Sequence, residues 1–164
     1  MKTFVVLGMH RSATSLVSKA LSTQIYMGPN PRPNVFESSS FVKLNNAILA
    51  RAGGSWHTPP DEAAILDQYD IFKREIARTI RVESVGKELW GWKDPRTTLT
   101  IRLYYRHLEN PHFIVMFRDP VDVAKSLNIR DGFSIERGIR IAHIYNNRLL
   151  SFLQDCNLDY FGTI

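Results

Sequence analysis

One stretch near the amino terminus decides the fold: residues 4–16, FVVLGMHRSATSL. Its apolar residues 4–7 predict a short buried strand, and Gly8 begins a turn that leads to a helix starting near Thr14. The first amides of a helix lack intrahelical partners and lie at the positive end of its dipole. The stretch therefore predicts a strand, a tight loop and a helix start that together bind an anion.

The loop differs from the ATP-binding Walker A loop, G-x-x-x-x-G-K-[ST]. In the same frame this chain has Gly8, four further residues, and then Ala13, Thr14 and Ser15. The lysine that would contact the terminal phosphates of ATP is missing, and the basic residue of the loop is Arg11. The loop is therefore typical of a site for a phosphate-like group, but not of ordinary ATP chemistry.

A second strand–helix junction follows later in the chain. Residues 112–117 are a short apolar run that predicts a buried strand. Asp119 is suited to cap the next helix, and Pro120 to its first position. Arg118 then lies at the strand end, the edge where open α/β sheets bind ligands. Ser126 follows a little over two helical turns later, on roughly the same face.

Together these segments resemble the sulfotransferases that use 3′-phosphoadenosine 5′-phosphosulfate (PAPS), most closely the bacterial-type branch with G-M-H-R-S-G-T-S loops. In that family the first loop, typically [KR]-S-G-T-[ST], holds the 5′-phosphosulfate. A strand-ending Arg and a Ser eight residues later hold the 3′-phosphate. The resemblance implies that seven residues bind the cosubstrate: Arg11, Ser12, Ala13, Thr14, Ser15, Arg118 and Ser126. Ala13 stands where the family usually has Gly.

The resemblance extends through residues 36–37, 53–56 and 90–96, and it implies three catalytic side chains. Sulfuryl transfer develops negative charge on the departing phosphate oxygen, and the attacking hydroxyl must lose its proton. Arg11 is expected at the leaving group, where an always-charged Arg acts electrostatically. Lys93 is expected at the bridging oxygen or the sulfonate. Glu37, in a segment similar to G-[YF]-[FW]-E, is the expected base, and Asp94 is the alternative.

Strand and helix patterns alternate along the chain, which predicts a parallel sheet with helices on both faces. Strands are predicted at 3–7, 89–92 and 112–117, and helices at 14–24, 39–52, 61–82, 96–107, from 119, and at 134–156. A proline-rich loop is predicted at 28–34, and the start of another strand at 158–164. The resemblance specifies a three-layer α/β, P-loop nucleotide hydrolase-like (sulfotransferase) fold, as a single domain over 1–164 that is C-terminally incomplete.

Helical spacing of apolar residues predicts the inward faces of three helices. These faces comprise Phe41, Leu44, Ile48 and Leu49 in the first, Ile65, Leu66, Tyr69, Phe72, Ile76 and Ile80 in the second, and Ile135, Ile139, Ala142, Leu149 and Leu153 in the last.

The composition, 44% hydrophobic and 23% charged, is typical of a soluble globular protein. A net charge of +5 suits an anionic ligand, but the basic residues form no dense run, so nucleic acid is not the predicted partner. Cys156, the single cysteine, excludes an intrachain disulfide. The sequence shows no signal peptide, no membrane span and no metal-ligand motif. A cytoplasmic protein without a metal is therefore expected.

The predicted function is sulfuryl transfer from PAPS to a hydroxyl, or an amine, of a carbohydrate, lipid or small-molecule acceptor, with release of 3′-phosphoadenosine 5′-phosphate (PAP). The alternatives are a small-molecule kinase on the same fold and a non-catalytic or truncated nucleotide-binding relative. Trp56, in a predicted loop, is a candidate for stacking on a sugar. Leu16 stands where many relatives have a Trp near the adenine, so no residue is assigned to the adenine.

Overall fold

The structure is a computed structural model that describes residues 1–29 and 35–156. Most of the predicted proline-rich loop and the predicted strand start at 158–164 lie outside the described residues. The described strands are β1 (Lys2–Gly8), β2 (Leu89–Lys93) and β3 (Pro111–Met116). The described helices are α1 (Thr14–Leu21), α2 (Ser39–Arg51), α3 (Glu62–Leu66), α4 (Tyr69–Ser84), α5 (Thr97–Tyr105), α6 (Pro120–Asp131) and α7 (Ile135–Asp155).

The three strands form a parallel sheet in the order β2-β1-β3. In this register Val6 lies opposite Lys93 on one side of β1, and Gly8 lies opposite Met116 on the other. The carboxyl ends of all three strands therefore meet at one edge of the sheet. The loops after β1 and β3, which carry Arg11 and Arg118, therefore begin at the same edge as Lys93, the last residue of β2.

Helices cover both faces of this sheet. Side chains of neighbouring strand residues point to opposite faces. On one face Trp92 stacks on Phe41 of α2, with ring centroids 4.0 Å apart and an interplanar angle of 5°. On the other face its neighbour Lys93 reaches Ser15 of α1. The predicted three-layer α/β fold is confirmed.

The larger core lies between the sheet and the helices α2, α4, α5 and α7. The apolar face predicted for α2 is buried, as are the side chains of Trp90 and Trp92. Burial of each large apolar side chain stabilises the fold by about 1.5–3 kcal/mol relative to leaving it in water. This core fixes the position of α2 and α5 relative to the end of β2.

Two helices, α3 and α4, replace the single helix that the sequence predicts for residues 61–82. Gln68 N donates to Ile65 O at 3.0 Å, and Ile71 N donates to Gln68 O at 3.1 Å, so the i→i−4 ladder is interrupted by tighter turns. The interruption turns Leu66 outward, 41% exposed, although the single-helix pattern placed it inward. The remaining predicted positions are half-buried at Tyr69 and buried at Ile65, Phe72, Ile76 and Ile80.

The strand predicted at 112–117 is present as β3, but it is half-buried along its whole length, so its predicted burial is wrong. Among the described residues β3 pairs only with β1. Phe113 packs against Tyr105 and Phe152 on the face of α5 and α7. On the other face α1 packs on β1 and β2, which leaves the β3 side chains there partly open.

α7 also departs from its predicted inward face at its first turn. Ala142, Leu149 and Leu153 are buried as predicted, but Ile135 is 40% exposed and Ile139 is half-buried. α7 packs closely on α6 at Gly138, where an added Cβ would lie 2.7 Å from Ala124 Cβ. Ile135 precedes this close contact, so its side chain extends beyond the packed part of the helix.

Candidate functional site

Gly8 ends β1 in a backbone conformation that favours glycine. Its φ is 150°, and an added Cβ would lie 2.6 Å from the carbonyl oxygen of Met116. Gly8 N donates to Thr98 Oγ1 at 2.9 Å, and Thr98 Oγ1 donates to Gly8 O at 3.2 Å. The start of the loop is therefore fixed against both β3 and α5.

The loop then turns through two residues in the left-handed region, Arg11 at φ 69° and Ala13 at φ 60°. Ser12 N donates to Met9 O at 3.2 Å. Within residues 1–29 and 35–156, the amides of residues 13–15 and the buried hydroxyl of Ser12 have no hydrogen-bond partner. Such donors at a helix start form a concave site for an anion. Ala13 shows why Gly is usual at this position, since a left-handed Ala costs about 1–2 kcal/mol.

The second junction is formed as predicted. Asp119 caps α6, and its carboxylate accepts from Val121 N at 2.7 Å and from Asp122 N at 3.3 Å. Pro120 occupies the first position of the helix. The cap fixes the chain direction directly after Arg118, so this side chain is directed at the loop that follows β1.

Arg11, Arg118 and Ser126 come together at the strand ends, and we call these three residues the phosphate cluster. Arg11 Nε donates to Ser126 Oγ at 2.7 Å. Arg118 Nη1 donates to the carbonyl oxygen of Arg11 at 2.9 Å. Both arginines are exposed, and neither forms a salt bridge within the part of the chain that the structure describes. The two predicted motifs thus meet in one cationic site.

Lys93, at the end of β2, links this loop to a second group of charges. Its side chain is only 2% exposed. Nζ donates to Ser15 Oγ, to Val35 O and to Glu37 Oε1, each at 3.1 Å. Burial lowers the pKa of Lys93, and the nearby Glu37 carboxylate opposes that shift. The ammonium group therefore lies between the start of α1 and the predicted base.

The two carboxylate oxygens of Glu37 differ in their surroundings. Oε1 accepts from Lys93, whereas Oε2 lies 3.7 Å from Arg96 Nη1, too far for a hydrogen bond. The side chain is 16% exposed. Phe36, just before it, has a φ of 52°, which is rare for a bulky residue. Ser18 Oγ donates to the Phe36 carbonyl at 3.3 Å, so α1 supports this unusual backbone.

Asp94 and Arg96 complete what we call the ionic cluster, together with Lys93 and Glu37. Arg96 Nη1 donates to Asp94 Oδ1 at 2.6 Å. Asn45 Nδ2 donates to Asp94 Oδ2 at 2.8 Å. Asp94 has no exposed surface, and burial raises the pKa of its carboxyl. Both oxygens of Asp94 are therefore engaged inside the protein.

His10 lies between the two clusters, one residue before Arg11, and is 6% exposed. Its ring packs on Trp56, with centroids 4.4 Å apart, and edge-on against Tyr145. Burial lowers the pKa of His10 well below its usual value, and Arg96, Arg130, Lys93 and Arg11 lower it further. Trp56 itself is half-buried and also contacts Phe133. His10 is therefore a neutral packing residue in this arrangement.

Asn45 is a site residue that sequence reasoning missed. It lies on α2 within the buried 41-44-45-48-49 face, where every other member is apolar. A polar residue on an otherwise apolar helical face was the available signal, because buried polar side chains need partners.

Among residues 1–29 and 35–156, no three His, Cys, Asp or Glu side chains converge where a metal ion could bind. None of the helices in this part of the chain is both long and apolar enough to cross a membrane.

Comparison with protein families gives one match that spans most of the chain. A family model described as "Sulfotransferase family" matches residues 3–156. The matched range contains the loop after β1 and every residue of the ionic and phosphate clusters. No curated protein is significantly similar to the chain.

Proposed function

Because the chain belongs to the sulfotransferase family, we propose that it moves a sulfuryl group from PAPS to a hydroxyl, or an amine, of a carbohydrate, lipid or small-molecule acceptor. PAP is the second product. Family membership supports sulfuryl transfer as the class of reaction. The cosubstrate and the residue roles that follow are argued from the geometry of the two clusters.

The observation that carries the proposal is the meeting of two distant motifs. Arg11 and Ser126 are joined by a 2.7 Å hydrogen bond, although 115 positions separate them in the chain. In the proposed complex Arg118 and Ser126 bind the 3′-phosphate, and an Arg can make two parallel hydrogen bonds to it. The amides of residues 13–15 and the Ser12 hydroxyl bind the 5′-phosphosulfate. The exposed cations, and the donors without a partner among the described residues, fit a ligand with a phosphate at one end and a phosphosulfate at the other.

The ionic cluster supplies the groups that the transfer needs. The acceptor oxygen attacks sulfur, and the bond between sulfur and the bridging oxygen of the 5′-phosphate breaks. The departing phosphate keeps the electron pair, and its charge is stabilised by Arg11 and Lys93. The proton of the acceptor hydroxyl passes to Glu37. Lys93 is suited to its part because it already contacts Ser15, at the start of the phosphate-binding helix.

The surroundings of the two carboxylates favour Glu37 over Asp94 as the base. Glu37 Oε2 has no hydrogen bond within the described residues, and the side chain is partly exposed. Asp94 is fully buried, and its oxygens are taken by Arg96 and Asn45. A base must lie within hydrogen-bond reach of the proton that it removes, and only Glu37 offers such an oxygen toward the site.

Calorimetric titration with PAP, side by side with Mg-ATP, tests the nucleotide site. We expect wild-type protein to bind PAP in the micromolar range and Mg-ATP weakly. Arg118→Ala should weaken PAP binding about 100-fold, because hydrogen bonds to charged groups contribute about 1.5–3 kcal/mol each. Arg140→Ala is the matched control, since this exposed arginine on α7 pairs only with Glu136, at 3.6 Å, among described residues.

Each outcome separates the candidate functions. Tight Mg-ATP binding that is indifferent to Arg118 would contradict the proposal and favour the small-molecule kinase. PAP binding without any turnover of PAPS across an acceptor screen would favour the non-catalytic relative. A loss of PAP binding in Arg140→Ala equal to that in Arg118→Ala would show that net charge, not this site, binds the nucleotide.

A further inference from the structure

The Asn45 side chain donates two hydrogen bonds and accepts two, all of them inside the protein. Its Nδ2 donates to Asp94 Oδ2 at 2.8 Å and to Thr97 Oγ1 at 3.0 Å. Its Oδ1 accepts from Thr100 Oγ1 at 2.7 Å and from Tyr104 OH at 2.8 Å. Asn45 has no exposed surface. One amide therefore joins α2 and α5 to the carboxylate that follows β2.

The next contact in this chain of hydrogen bonds involves a single nitrogen between two carboxylates. Arg96 Nη1 lies 2.6 Å from Asp94 Oδ1 and 3.7 Å from Glu37 Oε2. The same atom is therefore hydrogen-bonded to Asp94 and stands off from Glu37. A movement of about 1 Å would transfer Nη1 to Glu37, since N–H···O bonds are about 2.9 Å long.

We propose that Asn45 is a positioning residue: by fixing Asp94 it holds Arg96 away from Glu37, so that Oε2 of Glu37 stays open to the acceptor hydroxyl. The inference rests on the proposed role of Glu37 as the base. Asn45 touches neither nucleotide nor acceptor and acts through Asp94 and Arg96.

The physical reason is a competition for one guanidinium group. Asp94 is buried, and its charged form is stabilised by Arg96 and by the Asn45 amide. Without Asn45, one oxygen of Asp94 loses its donor in a site closed to water, which disfavours the charged carboxylate and so weakens its ion pair with Arg96. Arg96 then pairs with Glu37, the other carboxylate within reach. Oε2 would be occupied by a hydrogen bond that the acceptor must displace.

The test measures the coupling between Arg96 and Glu37 directly, without any need for an acceptor. A double-mutant cycle combines Arg96→Met and Glu37→Gln, with urea unfolding as the readout, in wild-type and Asn45→Ala backgrounds. The matched control background is Tyr104→Phe, which removes a buried hydrogen bond to the same amide but leaves the Asn45–Asp94 contact intact. Should Asn45→Ala not fold, Asn45→Ser takes its place.

We expect the Arg96–Glu37 coupling, as a ratio of unfolding constants, to rise about tenfold in Asn45→Ala and to stay unchanged in Tyr104→Phe. Equal couplings in all three backgrounds, or an equal rise in both variants, would overturn the positioning role and leave Asn45 a purely structural residue. PAP titration of the same proteins keeps the two proposals apart. Failure of the wild type to bind PAP contradicts the proposed function, whereas the cycle alone decides the role of Asn45.

Discussion

The phosphate cluster and the ionic cluster both place charged side chains at the end of the sheet, but they differ in burial and in pairing. Arg11 and Arg118 of the phosphate cluster are exposed and have no acidic partner within the described residues. Lys93 and Asp94 of the ionic cluster are almost fully buried, and every charge there has a counter-charge. Free cations in water suit binding of an anion, whereas compensated buried charges suit the fixed orientation that chemistry needs.

Substitutions in the ionic cluster should lower kcat, whereas substitutions in the phosphate cluster should weaken PAP binding. Glu37→Gln should show the largest effect. The amide keeps the shape of the side chain but cannot take the acceptor proton. We expect kcat to fall about 10³-fold, within the range for general-base catalysis, and PAP affinity to change less than about threefold. Steady-state conversion of PAPS to PAP, with an acceptor found by screening sugars, lipids and phenols, measures kcat.

The control for this change is Glu136→Gln, which neutralises an exposed carboxylate on α7. It should leave both kcat and PAP affinity unaltered. A Glu37→Gln enzyme that retains wild-type kcat would remove Glu37 as the base. If PAP affinity fell as much as kcat, the two clusters would not have separate functions in binding and chemistry.

The residues of the phosphate cluster could be predicted from the sequence, whereas the contacts of the ionic cluster could not. The phosphate cluster was predicted by residue because its parts lie in local motifs, and the structure brings Arg11, Arg118 and Ser126 together. The contact between Lys93 and Glu37 was not predicted, since it depends on how the segment before α2 packs against β2. The assigned roles of these residues remain predictions.

Helices and strands were likewise predicted where local sequence signals define them. Caps and apolar periodicity located nearly all of the described elements, including the Asp119 cap of α6. The break between α3 and α4 was missed because Asp67 and Gln68 are both compatible with a helix. Local propensity predicts neither that break nor the half-buried state of β3, since tertiary context can override it. The position of Asn45 within a polar network likewise depends on α5, which is distant in the chain.

His10 belongs to the loop after β1, next to Arg11 of the phosphate cluster, but its side chain is buried like those of the ionic cluster. Burial lowers its pKa in the folded state, so below about pH 6.5 the unfolded chain takes up a proton that the folded chain does not. The free energy of unfolding should therefore fall as pH decreases from 7 to 5.5, by up to about 1.4 kcal/mol per unit from this residue. Urea unfolding across that range measures the slope.

His10→Phe should flatten this slope, because it keeps an aromatic ring against Trp56 and removes the titrating imidazole. His143→Phe, at an exposed position on α7, is the control and should leave the slope as in the wild type. An unchanged slope in His10→Phe would mean that His10 is accessible to protons in the folded state. His10 would then belong with the open phosphate cluster.

Ala13→Gly carries the smallest expected effect and measures the backbone strain in the loop that follows β1. Ala13 has a φ of 60°, where a side chain is strained and Gly is not. Relief of about 1–2 kcal/mol is partly offset by the greater freedom of Gly in the unfolded chain, so a net gain of about 0.5–1 kcal/mol in the free energy of unfolding is expected. Ala20→Gly, an exposed position within α1, should instead lose about 0.5–1 kcal/mol. Opposite signs in urea unfolding would show that the backbone is strained at Ala13, whereas equal losses would show that it is not.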